Sequence, residues 1–148
     1  MSKKRILFLC TSNSCRSQMA EGLVNHFLGE TWEAYSAGIH PTGTVHPLAI
    51  QTMAELGIDI SGQRSKSLDE FHSVEFDLVV TVCNGAADGC PLWIGKGYNA
   101  HISFPDPAQV TGSQYEQLVA FQIVRDLIHR RVLDYLGNVG GKREQRVL

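Results

Sequence analysis

The sequence predicts an α/β fold: a single domain of three layers, with a four-stranded parallel sheet and helices on both faces. Three observations predict it. Apolar runs of strand length alternate with segments whose apolar residues recur at helical spacing. The 148 residues, 43% of them apolar, suffice for one core and not for two. Reactive side chains follow directly after strand-like runs, at the strand ends where α/β sheets bind ligands. The domain is placed at residues 1–136, followed by a loose tail, 137–148, rich in Gly, Lys and Arg.

The elements follow in order. Arg5 to Cys10 reads as a buried strand and Thr11 to Cys15 as a polar turn. Met19, Ala20, Leu23, Val24, Phe27 and Leu28 then recur at helical spacing, with Glu21, Asn25 and His26 on the opposite face and Gly29 as the stop. Glu33 to Ala37 is a second strand, closed by Gly38. A loop with Pro41, Gly43 and Pro47 leads to a helix carrying Leu48, Ile50, Met53 and Leu56, ended by Gly57. Ser67-Leu68-Asp69-Glu70 has the spacing of a capping box and should open another short helix. Asp77 to Val82 is a third strand, dense in Val and Leu and therefore buried on both faces. His101 to Phe104 is the fourth, ending at Pro105-Asp106-Pro107. Tyr115 to Leu136 is the longest helix.

Composition excludes several classes of function. A net charge of -2, without a basic cluster, argues against nucleic acid as a partner. The run Ile6 to Cys10, after Lys3-Lys4-Arg5, is too short for a signal segment or a membrane span. A cytoplasmic monomer is expected. Four cysteines, Cys10, Cys15, Cys83 and Cys90, are then spectators, metal ligands or reactive thiols rather than structural staples.

Cys10 opens the loop Cys10-Thr11-Ser12-Asn13-Ser14-Cys15-Arg16-Ser17 at a strand-to-helix junction. Amides that open a helix have no intrahelical acceptor and sit at the positive end of its dipole. They suit an oxyanion, and the Arg16 fork matches a tetrahedral one. The same field favours the thiolate of Cys10, to which Ser17 can donate a hydrogen bond. Such a sulfur facing a bound oxyanion is disposed to attack its central atom. The alternative is a buried cysteine ending a strand beside a surface arginine.

Cys83 and Cys90 enclose Asn84-Gly85-Ala86-Ala87-Asp88-Gly89. The spacing disfavours zinc and leaves two readings, inert buried thiols or a resolving pair that carries oxidation away from Cys10. As a helix, the segment would hold the two Cα atoms roughly 10 Å apart, beyond the ~7 Å limit of a disulfide. A Cys83–Cys90 bond would thus require the segment to bend or unwind, which Gly85 and Gly89 would ease.

These residues resemble the thioredoxin-coupled arsenate reductases, built on the low-molecular-weight tyrosine phosphatase fold. The resemblance begins with Phe8-Leu9-Cys10-Thr11 and continues from Asn13 through Gly22. It includes Tyr35-Ser36-Ala37-Gly38, Ile58-Asp59-Ile60-Ser61, Asp77 through Cys83, Cys90-Pro91 and Asp106-Pro107-Ala108. It implies Cys10 as nucleophile, and Thr11, Ser12, Asn13, Ser14, Cys15 and Arg16 as the oxyanion cradle. Ser17 would stabilise the thiolate, Asp106 would be the general acid, and Cys83 and Cys90 the redox relay. Arsenate is the implied substrate and thioredoxin the implied partner, with no metal or organic cofactor in the chemistry. Cys15 has no implied role beyond structure.

Two positions depart from the family pattern. Ser12 stands where glycine is frequent. Lys66 stands where some members have an acidic residue, beside Asn13, Glu21 and Ser36, in a potassium site. Lys66 would replace that ion, or else is a solvated surface lysine. The other enzyme of this fold, a tyrosine phosphatase, has no use for a thiol pair and usually has Pro and an aromatic residue where Gln18 and Ala108 stand. A non-catalytic anion sensor would need neither Asp106 nor the pair.

Overall fold

The computed structural model describes residues 3–84 and 97–142, with the side chains of 138–142 excepted. Four strands form one parallel sheet: β1 (Lys4–Cys10), β2 (Trp32–Gly38), β3 (Leu78–Thr81) and β4 (Tyr98–His101), in the order β2-β1-β3-β4. Three helices accompany them: α1 (Arg16–Phe27), α2 (Pro47–Ala54) and α3 (Gln114–Lys142).

Strand alternation sorts the core. Ile6 and Phe8 of β1, with Leu78 and Val80 of β3, face the helices and pack against Met19, Leu23, Met53, Phe121 and Ile128. Leu7, Leu9 and Val79 face the other way, under Phe71 and Phe76. Phe71 belongs to a one-turn 3-10 helix, Leu68–Phe71. Ser67 opens it by accepting a bond from the Asp69 amide. Glu70, expected to complete a capping box, instead pairs with Arg64 at 2.8 Å.

Several boundaries differ from the sequence reading. The fourth strand is Tyr98–His101, not His101 to Phe104. Its ladder partner, β3, ends at Thr81 opposite His101, which limits the pairing. Ile102 and Phe104 are buried as their apolarity suggests, but just beyond the strand, whereas Tyr98 is 53% exposed on its edge. Phe27, read as inward, is exposed and stacks on His129. Leu56 lies beyond α2 and is also exposed. α3 runs past Leu136 to Lys142, because no proline or cap interrupts it there. Gly137 costs the helix about 1 kcal/mol without removing a hydrogen bond.

Candidate active site

β1 connects outward to β2, while β3 lies on its other side. The sheet order therefore reverses between β1 and β3, and the crevice beyond their carboxyl ends is where such sheets bind ligands. Cys10 is the last residue of β1. Beyond β3 the Val82 amide donates to the Leu9 carbonyl at 2.9 Å, which continues the register so that Val82 comes level with Cys10 and Cys83 follows at the same end of the sheet. Cys83 is fully buried and held in a disulfide, in which neither Cys10 nor Cys15 takes part. Cys90, Gly85 and Gly89 lie outside the described residues, and so does the expected conformational change between the two thiols.

The loop between β1 and α1 is shaped by where its carbonyls go. Thr11 O accepts from the His40 amide at 2.9 Å, and Ser12 O from the Thr42 amide at 3.2 Å and Ser65 Oγ at 3.1 Å. Asn13 O accepts from Gln18 Nε2 at 3.1 Å, and Ser14 O from the His46 amide at 3.0 Å. In a trans peptide the following N–H points opposite to the carbonyl. With four successive carbonyls engaged from outside, the amides of Ser12, Asn13, Ser14 and Cys15 turn to the inner side of the loop. α1 then begins at Arg16 with no side-chain cap bond from Cys15 and no acidic residue in its first turn. Its positive pole is left for an anion.

Backbone strain falls on Asn13, whose φ of 51° is the only positive value among described non-glycine residues. Its side chain is tied at every polar atom. Nδ2 donates to Ser17 Oγ at 2.8 Å, and Oδ1 accepts from Gln18 Nε2 and the Lys66 amide, each at 2.9 Å. Ser12 therefore needs no glycine-like conformation, and a side chain is accommodated there. Ser17, fully buried, uses a lone pair on Asn13 and keeps its own proton for another acceptor. Gly38 is where absence of a side chain matters, since a Cβ would lie 2.7 Å from Thr11 O and 3.0 Å from Asn13 N.

Arg16, the first residue of α1, is buried, its side chain only 4% exposed. Nη1 donates to Phe104 O at 3.1 Å, and Nη2 is 3.6 Å from Asp106 Oδ2. Asp106 Oδ1 accepts from the Ala108 amide at 3.0 Å, which fixes the carboxyl on the rim. Cys15 is buried, and burial together with the negative charge of Asp106 and Cys10 pushes its thiol up to about 12, against the pull of Arg16. At neutral pH it is a protonated thiol. The site thus joins a buried sulfur, a cradle of amides, a guanidinium and a carboxyl, which is what attack on a tetrahedral oxyanion requires.

Lys66 is not a solvated lysine. It is 9% exposed, with Nζ 2.9 Å from Arg64 O, 3.5 Å from Ser36 Oγ and 3.7 Å from Glu21 Oε1. The ammonium occupies the space among the oxygens that a potassium ion would need, so these residues do not fit the ion. Burial pushes the Glu21 carboxyl up and the Lys66 ammonium down, while each opposes the shift of the other.

The sequence reading overlooked the residues that hold the loop from behind. Gln18 carries part of the resemblance and marks a departure from phosphatases but has no role in the sequence reading, yet its buried amide bonds Asn13 and Arg64. His46 falls in the expected loop before Pro47, with no role in the sequence reading. The available signal was chemical: a neutral amide in the first turn of a helix, and a histidine directly before the Pro47 that starts another.

Residues 5–145 match the model of the low molecular weight phosphotyrosine protein phosphatase family. An arsenate reductase of Halalkalibacterium halodurans is 48% identical over 132 residues, covering 89% of this chain and 94% of that protein. A solved structure of an arsenate reductase in the phosphate binding state superposes with a TM-score of 0.73 at 32% identity, covering 92% of this chain and 98% of the other. The thioredoxin-dependent arsenate reductase of Corynebacterium glutamicum superposes at 0.66 and 27% identity, over 93% of this chain and 62% of that one. By sequence and by fold, this chain belongs to the low molecular weight phosphotyrosine protein phosphatase family and, within it, to the arsenate reductases.

Proposed function

We propose that the chain reduces arsenate to arsenite, with Cys10 as nucleophile and Cys83 and Cys90 as an internal disulfide relay that thioredoxin regenerates. The observation that carries this reading is the pairing of an outward-turned carbonyl ring around Cys10 with a second cysteine leaving the adjacent strand. Arsenate binds the inward amides and Arg16. Cys10 attacks arsenic, Asp106 protonates the departing hydroxyl, and water leaves from a thiol–arsenate adduct. Cys83 then attacks the Cys10 sulfur. The sulfur–arsenic electron pair stays on arsenic, arsenite departs, and a Cys10–Cys83 disulfide remains. Cys90 attacks Cys83 and frees Cys10, and the resulting Cys83–Cys90 disulfide is exchanged with an external dithiol. Each cycle consumes one dithiol and yields one water, one arsenite and one disulfide.

The named relatives support the substrate, and the Corynebacterium relative supports the electron donor. A phosphatase would use the same loop, because phosphate and arsenate share shape and charge, but it would leave a buried cysteine at the adjacent strand end without a task. Arsenite production, followed with thioredoxin, its reductase and NADPH, tests the relay. Wild type should turn over continuously, Cys10→Ser should be inactive, and Cys90→Ser should stop after the first disulfide. Sustained turnover by Cys90→Ser refutes the relay.

A further inference from the structure

His46 stands where the oxyanion loop meets α2, and it engages both. Its backbone amide donates to Ser14 O at 3.0 Å, and its ring Nδ1 accepts from the Leu48 amide at 3.1 Å as the N-cap of α2. The ring packs on Phe121 of α3, with centroids 4.6 Å apart. A ring nitrogen that accepts an N–H bond carries no proton, so this cap exists only in the neutral imidazole with its proton on Nε2.

We propose that His46 is a positioning residue for the oxyanion loop: its neutral ring caps α2, and the capped backbone holds the Ser14 carbonyl away from the bound anion. This rests on the reading of the loop as an oxyanion site, though not on what is reduced there. Protonation replaces the acceptor at Nδ1 with a donor facing the Leu48 amide, and adds a charge at the positive pole of α2. Loss of the cap frees the backbone that carries the Ser14 contact.

The surroundings set the sign. Burial pushes the His46 ring below the usual histidine value, against the attraction of the Asp106 carboxylate. From α3, Tyr115 shares a cavity of about 420 Å³ with His46, and its other α3 neighbours there, Gln114, Gln117 and Leu118, are uncharged. α2 contributes Leu48 and Gln51, and the loop contributes the Ser14 carbonyl. The neutral, capped form is complete above 6.5, the ordinary value, and is lost as pH falls through the lower value of the folded protein.

Sulfate is the probe, since it stays a dianion across the range and undergoes no reduction. Its binding is measured by calorimetry from pH 5 to 8 for wild type, His46→Ala and His46→Asn, with thermal melts to establish folding. Asparagine accepts the same amide bond and does not titrate. At pH 7.5, His46→Ala should bind about fivefold more weakly, and His46→Asn within about twofold of wild type. Towards pH 5, wild type should lose affinity relative to His46→Asn. Equal affinity in folded His46→Ala, or the same acid loss in His46→Asn, overturns the proposal; if His46→Ala does not fold, the His46→Asn comparison decides. If the sulfate pattern holds but arsenate is not reduced, the activity reading fails and the role of His46 stands. If wild type binds no sulfate, the oxyanion reading itself fails.

Discussion

At Lys66 the chain places its own ammonium between Glu21, Ser36 and the Arg64 carbonyl. A tethered cation makes a dissolved one unnecessary, so kcat/KM for arsenate should be the same in potassium and sodium chloride at equal ionic strength. A clear potassium stimulation would refute the substitution. Lys66→Met should destabilise the fold by about 3 kcal/mol near pH 8, because it leaves Glu21 buried without its cation. The sign follows from Glu21, whose folded value lies above its ordinary 4.5. Such a carboxyl favours the fold while protonated and opposes it as pH rises through the folded value. Removing Lys66 enlarges that opposition, so the deficit in urea denaturation should shrink as the solution is acidified. A deficit independent of pH would place the loss in packing rather than in charge. At this scale the candidate reactive residues are legible in the sequence and the residues that support the loop are not. Cys10 and Arg16 stand out by type and spacing at a strand-to-helix junction, and Asp106 by its place after an apolar run, with its role as an acid implied by the resemblance alone. Gln18 and His46 act on backbone carbonyls, which every residue possesses, and Lys66 could be placed only by resemblance.

The elements show a similar division. β1 and the greater part of α1 were legible because their apolar periods are uninterrupted. β4 was misplaced because its exposed residues, Tyr98 and Asn99, earn their strand geometry from backbone pairing with Leu78 and Val79. Hydrophobicity pointed instead to Ile102 and Phe104, which fill the core beyond the ladder. α2 and α3 are joined by a clasp that no local pattern announces. Arg125 Nη1 donates to Thr52 O at 2.9 Å, Thr52 Oγ1 at 3.1 Å and Glu55 Oε1 at 2.9 Å, while its Nε pairs with Asp126. The Thr52 carbonyl lies in the last turn of α2, where helical acceptors lack partners. Arg125→Ala should therefore cost roughly 2–3 kcal/mol in urea denaturation, with the m-value unchanged. Arg125→Lys should recover only part, since a single ammonium cannot reproduce the fork. A loss below about 0.5 kcal/mol would make the clasp a surface contact of little weight.

For the molecule as a whole, alternation of strands and helices predicted a parallel sheet, but not the order β2-β1-β3-β4. Order depends on which apolar strands pair across long stretches of chain, and β1 and β3 present similar aliphatic surfaces. That order separates two capacities of one crevice. In the mechanism proposed above, oxyanion binding would fall to the loop after β1, to α1 and to the segment behind them, and removal of arsenic from sulfur to the cysteine that follows β3. The two should come apart by substitution. Cys83→Ser is nearly isosteric, and the four carbonyl contacts that shape the loop do not involve it, so sulfate affinity should stay within about twofold. Serine cannot form a disulfide with Cys10, so sustained arsenite production should fall at least about a hundredfold, a loss of roughly 2.7 kcal/mol or more in transition-state stabilisation. Arg16→Ala removes a charge from the anion and the contacts to Phe104 and Asp106, and it should lose both capacities together. Sulfate binding in Cys83→Ser as weak as in Arg16→Ala would mean that the two strand ends form one inseparable site. Undiminished turnover in Cys83→Ser would mean that arsenite leaves without this cysteine.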